Sequence, residues 1–265
     1  PNPQSPIPNP QSPIPIFKRK NEIKNKNNFS ILLINYNFQY FLMGNKSNFN
    51  LLSEKEKIAY QQKKCICKIY MYKDDILCGL SNGFFCIIPY PDESHYIPAL
   101  ITTYRTIDEN TLENNKTIKL TLNNDSTTKK INLSHKRKIY INKEIDTTII
   151  EILPKVDKID EFLELDDDLL KDNSSEIYSQ NKMYLICYGK ENKMDMYNGT
   201  IKEIENNEIH HISDTESGSG GCPILSISTF KVIGLHLGRT PYEYKKGILM
   251  SAPVKEFMSG KNFVQ

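Results

Sequence analysis

The residues best suited to chemistry cluster in DTESGSGGCPIL (residues 214–225), followed by the apolar run KVIGLHLG (231–238). A glycine-dense turn between a polar lead-in and a β-run is a place where backbone N–H groups converge. Converging N–H groups can stabilise the oxyanion of an acyl-transfer step. The same pattern also describes an ordinary glycine hairpin. Covalent catalysis further needs a hydroxyl or thiol touching a base that a third group orients. Ser219 and Cys222 are candidate nucleophiles in the turn, and His210, His211 and His236 are the bases nearest it. Cys222 reads as a buried thiol acting as a small hydrophobe. His210 and His211 read as β-surface or structural residues, His95 as part of the PDESHY turn, and His135, within HKRK, as solvated.

Elements that could hold such a turn in place run through most of the chain. From Cys65 onward, short segments rich in Ile, Tyr, Thr and Val recur: CICKIYMY, GFFCIIPY, PALITTY, TIKLTL, KKINL, RKIYIN, TTIIEIL, MYLICYG, GTIKEIE, CPILSI, KVIGLHLG and GILMSAP. Asn, Gly, Asp or Pro separates them, so they read as strands joined by turns. No sustained helical period interrupts them, apart from a candidate around KIDEFLELDDDLL. That argues an all-β antiparallel sandwich or barrel, not a parallel sheet with crossover helices. SEKEKIAYQQKK reads as a short helix with Ser53 as N-cap and Glu56 three residues on, a capping box. VKEFMSG reads as a short C-terminal helix.

Composition bounds the rest. The chain has 265 residues and a net charge of +2 from 34 basic and 32 acidic residues. So even a balance gives no broad basic field and no argument for nucleic acid. No apolar stretch is long enough to span a membrane. The cluster Lys129, Lys130, Lys136, Arg137 and Lys138 and the run Asp166-Asp167-Asp168 both read as solvated loops, and the six cysteines form no CxxC pair, so no metal or other cofactor is expected. Residues 1–20 begin with the repeat PNPQSPI and read as a disordered, proline-rich tail; residues 21–54 read as an Asn-rich linker. With no export signal ahead of Pro1, reduced thiols and a cytoplasmic location are the expectation.

Three blocks carry a family resemblance. The glycine turn is similar to the nucleophile loop T-x-x-G-x-S-G-x-P of trypsin-like serine peptidases, in their intracellular and glutamyl-endopeptidase-like branch. GFFCIIPYPDESHYIPALITTYRTI (83–107) resembles the block that carries their catalytic histidine. KEIDTTIIEI (143–152) resembles the strand that carries their aspartate. The order His, Asp, Ser is the order the chymotrypsin fold uses. The resemblance spans about 55–265. It implies two antiparallel β-barrels packed at a cleft, the first over about 65–153 and the second over about 178–252.

The same alignment places Arg105 at the histidine position, Asp146 at the aspartate position and Gly220 at the serine position. Glycine has no side chain to attack a carbonyl, and arginine keeps its proton and cannot serve as a general base. The resemblance thus implies a degenerate peptidase, with Gly218 and Gly220 as an oxyanion-hole-like pair. Arg105 and Asp146 should face each other as an ion pair. In the glutamyl branch, the positions matching Thr215 and His236 bind a substrate carboxylate, and Asp214 lies beside them. A peptide or protein ligand in the cleft of a monomeric chain is the expected partner. Two alternatives stay open: a working hydrolase that uses Ser219 with a base among His210, His211 and His236, and a decaying paralogue with no retained role.

Overall fold

The computed structural model describes residues 49–73, 76–133, 136–189, 191–239 and 244–264. The expected tail and most of the expected linker lie outside the described residues, as does His135. The chain divides into a unit over Pro1–Lys46 and a unit over Ser47–Gln265, and the description concerns the second.

Helix α1 (Glu54–Lys64) begins at the anticipated capping box: the Ser53 hydroxyl accepts from Glu56 N–H, and the Glu56 carboxylate accepts from Ser53 N–H. Its one buried side chain, Gln61, ties the helix to the far half of the molecule by donating to Phe230 O at 2.7 Å and accepting from the Tyr184 hydroxyl at 2.7 Å.

The first half is a sheet of β1 (Ile66–Lys73), β2 (Ile76–Pro89), β3 (Tyr96–Thr102), β4 (Thr117–Leu122), β5 (Thr127–Asn132), β6 (Ile139–Asn142) and β7 (Thr147–Glu151), with helix α2 (Glu109–Asn114) after β3. Successive side chains on a strand point to opposite faces, and here both faces are buried. Phe84, Cys86, Ala99, Ile101 and Ile149 join the core shared with the second half. Their neighbours Phe85, Leu100 and Ile150 fill the interior of the rolled sheet with Ile69, Leu120 and Ile131. That double burial is why GFFCII and TTIIEI read as continuous apolar runs instead of alternating ones.

A short helix α3 (Pro154–Asp157), strand β8 (Leu163–Glu164) and helix α4 (Ser174–Tyr178) lead to the second half. There β9 (Lys182–Tyr188), β10 (Met194–Glu205), β11 (Glu208–Ser213), β12 (Pro223–Ser226), β13 (Val232–Arg239) and β14 (Lys245–Leu249) close into a barrel, in the order β10-β11-β14-β13-β12-β9. Helix α5 (Ser251–Ser259) follows, as anticipated, and β15 (Phe263–Val264) returns to pair with β6. Glu256 on α5 fastens that return, accepting from the Tyr140 hydroxyl at 2.8 Å and from Asn142 Nδ2 at 2.9 Å.

The all-β fold of two packed antiparallel halves matches the sequence reading. Among the described residues only the second half closes by hydrogen bonding. The first is an open path, β15-β6-β7-β3-β2-β1-β4-β5, with β8 alongside β2. A guanidinium occupies its seam. Arg137 donates to Asn132 O at the end of β5 (2.7 Å), to Glu151 O at the end of β7 (2.8 Å), and to both oxygens of Asp157 (3.0 and 3.2 Å). The two side chains are 0% and 1% exposed, so the reading of Arg137 as part of a solvated loop is corrected. Asp166 corrects the acidic run in the same way. It is buried, accepting from the Tyr178 hydroxyl at 2.6 Å and the Thr229 hydroxyl at 2.5 Å. No long helix forms over KIDEFLELDDDLL; its Leu163 and Leu169 are drawn into the core from β8 and the turn after it. Among the described residues, no group of three His, Cys, Asp or Glu side chains could hold a metal ion, and no helix is long and apolar enough to cross a membrane.

Candidate functional site

A cleft of about 660 Å³ lies between the halves, lined by the turn after β3, the glycine loop Thr215–Gly220 and the end of β13. Asp146 sits in the β6–β7 turn with φ +48°, a left-handed conformation that Asp tolerates. Its carboxylate accepts from Arg105 N–H at 3.0 Å and from Arg105 Nε at 2.7 Å, so the anticipated ion pair is present. Arg105 Nη2 continues across the cleft and donates to Leu237 O at 2.6 Å. That carbonyl lies at a bulge of β13 against β14, between His236 and Gly238, which leaves it outside the ladder. A single guanidinium thus joins the two halves at the middle of the cleft.

Gly220 faces this bridge. A Cβ added there would meet Leu237 O at 3.4 Å and nothing closer, so the position has room for a side chain that the sequence does not supply. Gly221 has no such room: its φ is +90°, and a Cβ would fall 2.1 Å from Asn82 O. Asn82, on β2, braces the whole loop. Its Nδ2 donates to Gly218 O at 2.9 Å, its backbone N–H to Gly220 O at 3.3 Å, and its Oδ1 accepts from Tyr188 N–H at 2.7 Å. Sequence reasoning passed over Asn82, because nothing in its type or spacing separates it from the chain's many turn asparagines.

Behind the loop runs a buried polar chain. Ser219 Oγ lies 3.0 Å from His236 Nε2, His236 Nδ1 lies 3.1 Å from His211 Nε2, and His211 Nδ1 lies 3.3 Å from the Ser213 hydroxyl. Ser219 also donates to Glu216 O at 2.8 Å. A hydroxyl has one proton, and a carbonyl can only accept. With that proton on Glu216 O, His236 must present N–H to Ser219, His211 N–H to His236, and Ser213 its hydroxyl to His211. In that arrangement the ring facing Ser219 is a donor. His236, a candidate ligand residue, is fully buried and reaches the cleft only through Ser219; Thr215 lines the cleft directly, and Asp214 is exposed outside it.

Both rings of the pair stay neutral. Burial, then Lys245, pushes His211 down to about 3. Burial, then His211, holds His236 well below the ordinary value. His210 goes the other way, raised by its hydrogen bonds to Glu203 and Glu208. For a depressed histidine the unfolded chain binds a proton that the folded chain refuses. Its stabilisation is present above about pH 6.5 and is lost as pH falls, approaching about 1.4 kcal/mol per pH unit for each ring. His210 contributes in the opposite sense: its stabilisation is present below about pH 6.5 and is lost as pH rises through its raised folded value. Two rings against one predict that the urea unfolding free energy falls between about pH 7 and pH 5.5. A value that stays level or rises would contradict neutral burial of the pair.

The cleft is cationic. Arg105, Arg239 and Lys245 line it, and Lys245 Nζ donates to Thr215 O at 2.6 Å. Burial, then Arg239, lowers Lys245 from its ordinary value. The acidic lining residue, Glu216, turns its carboxylate towards Gly189, where a Cβ would meet it at 2.7 Å. Cys222 is fully buried, and burial pushes its thiol up, so it is no thiolate nucleophile.

Residues 86–261 match the Peptidase S39 family. No curated protein matches the sequence. Among solved structures, the serine endoprotease from Yersinia pestis is similar with a TM-score of 0.54 at 10% identity, over 79% of this chain and 66% of that one. The Rv3671c protease in its inactive form is similar with a TM-score of 0.51 at 11% identity, over 76% of this chain and 91% of that one. At such identities the likeness speaks to the fold. The chain spans just under two thirds of the Yersinia pestis endoprotease.

Proposed function

The chain belongs to the Peptidase S39 family, and from that premise we propose that it is a pseudopeptidase, a serine-peptidase scaffold that binds a peptide or protein segment in its cleft without cleaving it. One observation carries the reading: Arg105, at the position the resemblance assigns to the base, is clamped between Asp146 and Leu237 O, and residue 220, assigned to the nucleophile, is glycine. The loop is otherwise kept in good order, with Asn82 bracing Gly218 and Gly220. In this reading Gly218 and Gly220 offer backbone N–H groups to a ligand, and the cationic wall of Lys245 and Arg239 beside Thr215 favours an acidic side chain, as in the glutamyl-specific branch.

A second reading has its own observation, the 3.0 Å contact of Ser219 with His236. It makes Ser219 the nucleophile and His236 the base. Against it stand Glu216 O, which competes with His236 for the Ser219 proton from 2.8 Å, and the 2% exposure of Ser219. A fluorophosphonate serine-hydrolase probe separates the two. The natural chain is expected to stay unlabelled. Labelling that disappears in Ser219→Ala would establish the second reading instead.

A further inference from the structure

Resting on that reading of the cleft as a site of binding without turnover, we propose that it captures a free C-terminal carboxylate of its partner, with Arg105 as the counter-ion. A scissile amide is neutral and gains little from a guanidinium beyond what water offers it. A carboxylate matches the guanidinium fork with charge-assisted, paired hydrogen bonds. Of the five N–H groups of Arg105, Nε uses one on Asp146 and Nη2 uses one on Leu237 O, leaving three. The side chain is 65% exposed and lines the cleft.

The space in front of it is shaped for an anion. Gly220 has no side chain, and even a Cβ there would clear Leu237 O, itself engaged by Arg105 Nη2, by 3.4 Å, so space is left beside the guanidinium. Arg239 and Lys245 line the same cleft, while the Glu216 carboxylate is turned towards Gly189. An entering carboxylate therefore meets three cations, Arg105 among them already sharing its charge with Asp146, against one lining carboxylate, Glu216. The bridge also favours a chain end over an internal segment. Arg105 reaches from Asp146 on one half to Leu237 on the other, so its guanidinium spans the cleft between them. A terminus stops at the guanidinium and has nothing beyond it to accommodate.

The test passes a randomised octapeptide pool over the immobilised chain, as an equimolar mixture of free acids and C-terminal amides, with retained species counted by mass spectrometry. Free acids should be enriched at least tenfold over amides. The enrichment should be lost in Arg105→Gln and reduced in Arg239→Gln, each checked by its thermal midpoint. If Arg105→Gln does not fold, Arg239→Gln carries the comparison. Equal retention of acids and amides would overturn the terminal-carboxylate proposal while leaving a peptide-binding cleft. Retention of neither would overturn both. Enrichment unchanged in a folded Arg105→Gln would put the carboxylate elsewhere and end the proposal.

Discussion

Replacing Arg105 with His and Gly220 with Ser together is expected to turn an unreactive chain into one that a fluorophosphonate probe labels. The scaffold for the repair is in place. Asp146 already accepts from the residue-105 backbone at 3.0 Å and would orient an imidazole there. A serine Cβ at 220 meets nothing closer than 3.4 Å, and the contact at that distance is the carbonyl the arginine now occupies. Each single repair should stay silent, because a nucleophile without a base, or a base without a nucleophile, does little; the members act as a unit. A positioned base contributes about 10²–10⁴-fold, so the double variant should label at least about a hundredfold faster than either single one. The exchange removes a bridge between the halves, and the thermal midpoint reports whether the fold tolerates that. A folded double variant without labelling would mean that Asp146 and the loop do not form a working frame.

The second large effect is on stability. Arg137→Met should cost about 3–5 kcal/mol in urea unfolding, because it strands the Asp157 carboxylate, 1% exposed, without its cation. Asp157 keeps one donor, Leu153 N–H at 2.7 Å, which does not neutralise it. Replacing the pair together, Arg137→Met with Asp157→Leu, should recover part of the loss. It should not recover all of it, because Asn132 O and Glu151 O at the seam lose their donor as well. An Arg137→Met variant as stable as the natural chain would mean that water reaches the seam and that the buried pair does not hold it shut.

Much of the architecture was legible residue by residue. The capping box at Ser53 and Glu56, the alternation of short β-runs with turn residues, and the short helix at VKEFMSG all appear where local chemistry puts them. The facing of Arg105 and Asp146 was anticipated through the family resemblance, which puts them at the positions of a base and its orienting acid, and a partly buried aspartate there needs a partner. Other features were not. Arg137 and Asp166 look like any charged residue in a polar run, yet each is buried. His236 looks like a ligand residue on a strand, yet it faces Ser219 from behind the cleft.

The sequence by itself determined the strand-rich class, the order of the three blocks, and the side chains at 105, 146 and 220, hence which proton transfers are chemically open. Those are properties of residue type and short spacing, which periodicity and pKa set locally. Only the tertiary structure decided that Asn82 braces a loop 136 residues away, that Arg105 spans to a carbonyl 132 residues away, and that the Ser219 hydroxyl sits between Glu216 O and an imidazole. Such contacts follow from how two packed halves exclude water and leave each buried donor to find an acceptor. No local pattern records which partner it finds.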